Sequence, residues 1–240
     1  MKTTGNTIFI SGGSAGIGLE IAKQFSALGN KVIINGRNKE RLENALGQLN
    51  NAEFIQGDLS IESERERIAE VLRNNYPDIN VLINNAGDAY AYTLNGSENA
   101  YQNAAKEINT NYLSIIHLSE LLLPILSVKK EAAIVNVTSI VALAPQGVVP
   151  TYSSSKAALS AYTQLLRKAF ADTGLEVYEL MPPLVNTHFS ADIGGANGIP
   201  PKEVADELLL SMENRQFDVP VGQTKALYTL FENIRSKLNS

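Results

Sequence analysis

The sequence predicts an alternating α/β chain, doubly wound around one mostly parallel sheet, and three observations predict it. Short strand-like runs recur at Thr7–Ile10, Lys31–Asn35, Glu53–Gln56, Val81–Asn84, Ala132–Ser139 and Glu176–Met181, and stretches of helical periodicity separate them. Most of these runs are apolar without strict alternation, as strands buried on both faces require. The first run ends in a glycine-rich turn that opens a helix, which is how a βαβ unit begins. At 240 residues the chain can bury one large core. It contains no internal repeat, low-complexity tract or linker, so a single domain over residues 1–240 is expected.

The bulk numbers narrow the function class. Hydrophobic residues make up 44% and charged residues 19%, ordinary values for a globular protein. The net charge of −5, with no basic cluster, argues against a nucleic-acid or anionic-membrane partner. The absence of cysteine excludes disulfides, thiolate chemistry and Cys-ligated metal. No cationic start leads into an apolar signal segment, and no apolar run is long enough to cross a bilayer, so a soluble cytoplasmic protein is expected.

The first strand runs into Ser11-Gly12-Gly13-Ser14-Ala15-Gly16-Ile17-Gly18, and Ile17, Ile21, Phe25 and Leu28 then keep helical spacing up to a Gly29-Asn30 cap. Glycines in a strand–turn–helix context remove Cβ atoms where backbone meets pyrophosphate, and the helix start offers free N–H groups and a positive dipole end. The second strand completes the βαβ unit. A carboxylate at its tip would mark NAD by accepting the adenosine ribose hydroxyls. The tip instead reads Asn35-Gly36-Arg37-Asn38, and a guanidinium there can pair with a 2′-phosphate, which favours NADP. The alternative is an exposed Arg ahead of the next helix, Lys39–Leu49.

After the third strand come Gly57-Asp58-Leu59-Ser60, with Asp58 placed to meet an adenine amino group or solvent, and Ser60 as expected N-cap of a helix over Ile61–Asn75. The fourth strand leads into Asn85-Ala86-Gly87, at the carboxyl end where doubly wound sheets bind ligands. A loop from Asp88 to Gly96 precedes a long helical region, roughly Ser97–Val128, that contains Asn111, His117 and Pro124. Asn111 is either a surface amide or turned inward to hold water near Lys156. His117 reads as a packed or interface residue, and no metal site is expected.

The fifth strand ends in hydroxyls at Thr138-Ser139, and after a Gly/Pro loop a helix opens with Thr151-Tyr152-Ser153-Ser154-Ser155-Lys156 and runs to Thr173. Tyr152 and Lys156, four apart, share a helix face. A free phenol titrates at about 10, and a neighbouring ammonium lowers that value towards efficient general acid–base transfer. Ser139 is positioned to hold a substrate oxygen beside the phenol. After Glu176–Met181 come Pro182 to Thr187 and a Gly/Pro-bearing segment to Pro201 of a length that suits a lid or binding loop. A helix over Glu203–Glu213, a short Phe217–Val221 run whose Pro220 suits an edge strand, and a final helix from Thr224 complete the chain.

These motifs, in this order along nearly the whole chain, resemble the short-chain dehydrogenases/reductases. Ser11 to Gly18 resembles the family's cofactor fingerprint, with Ser where Thr is commoner, and Asn84-Asn85-Ala86-Gly87 matches the motif that steadies the central sheet. The resemblance implies a Rossmann-type sheet of order 3-2-1-4-5-6-7 with helices on both faces, a dinucleotide half over about 1–90 and a catalytic half over about 91–240. It implies a tetrad of Asn111, Ser139, Tyr152 and Lys156, with Tyr152 as acid/base, Ser139 orienting the substrate oxygen and Asn111 supporting a relay water. Lys156 would bind the nicotinamide ribose and lower the Tyr152 pKa. Gly12, Ser14, Gly16, Ile17, Gly18, Arg37, Asp58, Leu59, Asn85, Ala86, Gly87, Pro182, Val185 and Thr187 would join Tyr152 and Lys156 around the cofactor. Most members carry Pro-Gly after the sixth strand, and Pro182-Pro183 here looks like the subgroup called DltE-like.

The implied activity is NADPH-dependent interconversion of a ketone or aldehyde and an alcohol. Val141, Leu143, Gln146, Val149, Leu184, His188 and Phe189 are expected to border a largely apolar substrate pocket, and a homodimer or homotetramer is expected through helices near Asn111 and Tyr162. Two other functions stay open: a non-enzymatic NADP(H) sensor or scaffold, and an epimerase or dehydratase with the same Tyr-Lys pair.

Overall fold

Parallel strands are paired on both edges and covered on both faces, so alternate residues of each run must fit two different apolar layers. The computed structural model, which describes residues 1–96 and 99–238, arranges seven strands this way: β1 (Thr7–Ser11), β2 (Lys31–Gly36), β3 (Ala52–Gln56), β4 (Val81–Asn84), β5 (Ala132–Val137), β6 (Leu175–Met181) and β7 (Asp218–Pro220). All pair in parallel, in the order β3-β2-β1-β4-β5-β6-β7, with Pro220 on the edge strand as expected. Ile8, Ile10, Val32, Ile34, Val81 and Ile83 face one layer, formed by helices α1 (Gly16–Ala27), α2 (Lys39–Leu46) and α7 (Pro201–Glu213). Phe9, Ile33, Leu82 and Ile134 face the other, formed by α3 (Glu62–Asn75), α5 (Ser114–Leu126) and α6 (Pro150–Ala169). Burying each such side chain stabilises the fold by about 1.5–3 kcal/mol.

Helix ends follow local chemistry. Gly29 takes a left-handed φ of +81° after α1, and Asn30 donates to Phe25 O (2.7 Å) and Thr3 O (2.9 Å), tying the helix end to the chain start. Ser60 does not cap α3. Asp58 Oδ1 instead accepts the Ser60 N–H (2.9 Å), and the residue before the helix is Ile61. A side chain bonded two residues ahead forms an Asx turn, and this turn displaces the expected cap. α2 ends at Leu46, β5 at Val137 and α6 at Ala169, each earlier than the residue patterns imply.

The long helical region is not one helix. Its expected start, Ser97, lies outside the described residues. α4 (Ala100–Ile108) passes into a π turn over Asn109–Leu113 before α5 begins. Beyond β6, short 3-10 turns at His188–Ile193 and Gly195–Asn197 fold the chain back so that Ile199 bridges to Val185. A final helix, α8 (Thr224–Leu238), follows β7.

Candidate active site

β1 and β4 are neighbours whose connections leave in opposite directions, and the crevice at their carboxyl ends is where this topology binds ligands. Gly12 and Gly16 there have φ of +65° and +55°, the left-handed region that favours glycine. Ala15, before α1, brings no side-chain cap. The first N–H groups of the helix therefore have no partner within it, and the positive end of the dipole lies behind them. A phosphate is the ligand such a turn fits. Ser11 Oγ accepts from Asn85 N (2.9 Å) and Ala86 N (3.0 Å) and donates to Ile83 O (3.3 Å), so the hydroxyl that closes β1 stitches it to β4. Asn84 Nδ2 donates to Asn136 Oδ1 (2.8 Å), and Asn136 Nδ2 to Thr163 Oγ1 (2.9 Å), a buried amide chain from β4 through β5 to α6.

At the tip of β2, Arg37 is 64% exposed and 3.5 Å from Asp88, which follows β4. An exposed pair of this kind contributes little to stability, so Arg37 can exchange Asp88 for another anion. Ser14 turns its hydroxyl towards Gly36, where a Cβ would stand 3.2 Å from Ser14 Oγ. Arg41, in the first turn of α2, lines the same cavity. Asp58 is engaged with Ser60, Leu59 is buried, and neither lines the cavity.

The other end of the cavity belongs to α6. Its first turn begins with Pro150, a residue that loses nothing there because that N–H has no helical partner. The same helix face carries Tyr152 and Lys156, with Lys156 Nζ 5.6 Å from the Tyr152 ring centre. Lys156 is buried and donates to Val137 O (2.8 Å), and burial pushes its pKa down to about 8. Ser139, just beyond β5, accepts from Val141 N (3.3 Å), and its hydroxyl lies near enough to the Tyr152 phenol to lower the phenol's pKa. The expectation that Lys156 makes the phenol more acidic meets a larger opposing effect. Burial pushes the Tyr152 phenol above its ordinary value, the Ser139 hydroxyl offsets part of the rise, and Glu107 adds to it.

Asn111 sits in the π turn, buried, with its amide spent on protein partners. Oδ1 accepts from Asp88 N (2.8 Å), while Nδ2 donates to Asp88 O (2.8 Å) and Ser155 Oγ (2.9 Å). Its side chain therefore ties the loop after β4 to α6, and both amide hydrogens expected to hold water are engaged. π turns inside helices often mark functional positions.

One cavity of about 760 Å³ joins these parts. Gly12, Gly16, Ile17, Arg37, Asn85, Ala86, Gly87, Ser139, Tyr152, Lys156, Pro182, Val185 and Thr187 all line it, whereas Ser14, Gly18, Asp58, Leu59 and Asn111 do not. On the substrate side Val141, Gln146, Val149, Leu184, His188 and Phe189 line it as expected, and Leu143 does not. Leu143 follows a 3-10 turn over Ile140–Ala142, which turns its side chain out of the wall. A second depression, about 770 Å³, lies at the opposite, amino ends of the strands and contains none of the motif residues.

A model of the short chain dehydrogenase family matches residues 6–197. The chain belongs to that family. An uncharacterized oxidoreductase, DltE, of Bacillus subtilis (strain 168) is 42% identical over 208 residues, 86% of this chain and 82% of that one. A short chain dehydrogenase from Burkholderia cenocepacia J2315 in complex with NADP superposes with a TM-score of 0.87 at 23% identity, covering 99% of this chain and 97% of that one. A short chain dehydrogenase/reductase from Burkholderia phymatum in complex with NAD gives 0.84 at 19% identity, covering 91% and 89%. Membership makes this chain a nicotinamide-dependent oxidoreductase.

Several residues around the site of this short-chain dehydrogenase escape the sequence. Arg41, Asp88, Val148, Ile193 and Gln223 line the cavity through tertiary folding. Glu107 and Glu179 are buried carboxylates near it; Glu179 is an acidic residue inside an otherwise buried strand, whereas Glu107 is the one buried residue of α4 and leaves no pattern in the sequence. Elsewhere Glu62, Glu66 and His117 bring ligand atoms within 4.8 Å of one another. His117 Nδ1 accepts from Arg65 Nε (3.0 Å), so its remaining nitrogen carries the ring proton and faces the carboxylates as a donor, not as a metal ligand. Among the described residues, no helix is long and apolar enough to cross a membrane.

Proposed function

We propose that this short-chain dehydrogenase is an NADP(H)-dependent carbonyl reductase that converts a modest, largely apolar ketone or aldehyde into an alcohol, reversibly. The observation that carries the proposal is the meeting of Tyr152, Ser139 and Lys156 on the wall of a cavity that continues to the glycine turn. The residues present suit a dinucleotide. Gly12, Gly16, Ile17 and the open start of α1 take the pyrophosphate, with Gly18 and Ser14 shaping that turn from behind. Asn85, Ala86 and Gly87 would flank the adenosine side together with Asp58 and Leu59, Lys156 would hold the nicotinamide ribose, and Pro182, Val185 and Thr187 would hold the carboxamide. The bound nicotinamide supplies hydride. Ser139 and Tyr152 hold the carbonyl oxygen, Tyr152 gives it a proton as negative charge develops, and the Lys156 ammonium offsets the charge left on the phenolate.

Preference for NADP(H) rests on Arg37 after β2, Arg41 in α2, the Ser14 hydroxyl near Gly36, and the absence of a carboxylate among the residues that end β2, Asn35 to Asn38. NADPH at about a hundredfold its Kd is expected to raise the melting temperature on the order of 5–10 °C. NADH at the same concentration should raise it less, and Arg37→Ala should erase most of the difference. Equal shifts in the natural chain would remove the preference. Consumption of NADPH, followed optically with benzaldehyde and acetophenone, tests the reduction itself, and inversion of a chiral secondary alcohol without net cofactor turnover would point to an epimerase.

The chain is also proposed to assemble as a homodimer or homotetramer in the cytoplasm. Tyr112 and Tyr162 form an edge-to-face pair with centroids 6.3 Å apart, and Leu113 and Leu165 stay exposed on the same helices. Sedimentation should give a mass at least twice that of the chain, and a monomer at every concentration would contradict assembly.

A further inference from the structure

A carboxylate with no solvent exposure stands one residue from the proposed proton donor. Glu107, on α4, accepts from Tyr90 N (2.8 Å) through Oε1 and from the Thr151 hydroxyl through Oε2. The hydrogen of Thr151 is thereby spent, so its oxygen must accept from Tyr92 OH (2.7 Å). Tyr92 N in turn donates to Val148 O (3.1 Å), on the loop that walls the cavity. Thr151 immediately precedes Tyr152 in the first turn of α6, a helix whose own N-cap, Val149, offers no side-chain bond. Glu107 thus anchors the first turn of α6 through the Thr151 side chain, at the end where negative charge favours the helix dipole.

We propose that Glu107 is a positioning residue that holds the start of α6 through Thr151 and, by its charge, keeps the Tyr152 phenol protonated, biasing the site towards proton donation and so towards reduction. The inference rests on Tyr152 being the acid/base. A negative charge near a phenol disfavours phenolate, and Glu107 adds in this way to the rise that burial causes at Tyr152. Burial raises the Glu107 carboxyl itself, bonds from Thr151 and Tyr90 lower it, and Asp88 raises it. The groups facing the two residues are Asp88 and Tyr90 from the segment after β4, Ser139 after β5, Lys156 from α6, and Phe189, whose ring centre is 6.0 Å from that of Tyr152. Lys106 stacks on Tyr90, 5.5 Å from its centroid. Among these charged groups Glu107 is the one that raises the phenol, so removing its charge should lower the phenol's pKa.

The test is the pH dependence of NADPH-driven reduction of benzaldehyde or acetophenone by the full chain. Loss of the protonated phenol sets the basic limb of that profile. Glu107→Gln keeps the shape and removes the charge, and should move the basic limb down by about one pH unit, a tenfold gain in phenol acidity. An unmoved or raised limb would overturn the inference. Thr151→Val keeps the charge and removes the link. It should leave the limb at or above its natural place while turnover falls about ten- to hundredfold at unchanged KM for NADPH. A limb that falls in Thr151→Val as far as in Glu107→Gln would show that packing, not charge, moves it, and would also overturn the inference. Failure of the underlying reading is a separate result, undiminished reduction by Tyr152→Phe.

Discussion

Tyr152→Phe is expected to cut carbonyl reduction by about 10²–10⁴-fold, the usual worth of a positioned general acid, while the protein folds and still takes up NADPH. The change removes one hydroxyl and leaves the ring, which packs beside Phe189 and under Lys156. Ser139 loses the neighbouring phenol hydroxyl but keeps the N–H of Val141. Losing one buried hydrogen bond costs on the order of 1 kcal/mol, about 2–4 °C in melting temperature for a chain of this length. The rate loss and the stability loss therefore separate by orders of magnitude. NADPH consumption measures the first, and a thermal melt with and without NADPH measures the second. Turnover within a few-fold of the natural chain would remove Tyr152 from the chemistry. A variant that neither reduces carbonyls nor gains stability from NADPH would place Tyr152 in cofactor binding instead.

How much of this could be read from residues alone follows from which interactions are local. The strands were legible because Ile8-Phe9-Ile10, Val32-Ile33-Ile34 and Val81-Leu82-Ile83 are covered on both faces, and only apolar runs satisfy that. The glycine turn was legible because its requirement is a missing Cβ, which the sequence states directly. Tyr152 and Lys156 were legible by spacing. Glu107 was not, since its partners Tyr90 and Thr151 lie 17 and 44 residues away along the chain. Glu179 is similar: Thr138 Oγ1, just beyond β5, donates to its Oε1 (3.0 Å), and burial raises its carboxyl pKa. The π turn at Asn111 depends on an amide that reaches Asp88 and Ser155 at once, which no helical periodicity encodes. The acidity of the phenol escapes the sequence for the same reason, because spacing reveals the neighbouring cation but not the burial that raises the phenol's pKa.

Gly18→Ala is expected to produce the largest loss of stability among single-methyl changes at the nucleotide end. The added Cβ would stand 2.4 Å from Gly12 O, 2.5 Å from Asn85 Nδ2 and 3.0 Å from Gly12 C. Two of those atoms are backbone, so no flexible side chain can give way. The third belongs to the amide that donates to Ser11 O (3.0 Å) and Gly12 O (3.1 Å), the contacts by which the segment after β4 grips the turn after β1. Either α1 moves away from the turn or that grip is broken. Overpacking of this kind costs about 1–3 kcal/mol, occasionally more, which lowers the melting temperature by roughly 2–12 °C in a chain of this size. Because the displaced atoms belong to the proposed pyrophosphate cradle, the gain from NADPH should fall with it. Gly147→Ala is the control, since nothing stands within 4 Å of a Cβ there and its φ is ordinary; its melting temperature should stay close to that of the natural chain. If Gly18→Ala melted with the control and kept its full response to NADPH, α1 would not need to approach the turn as closely as the fold requires, and the phosphate assignment would fall with it.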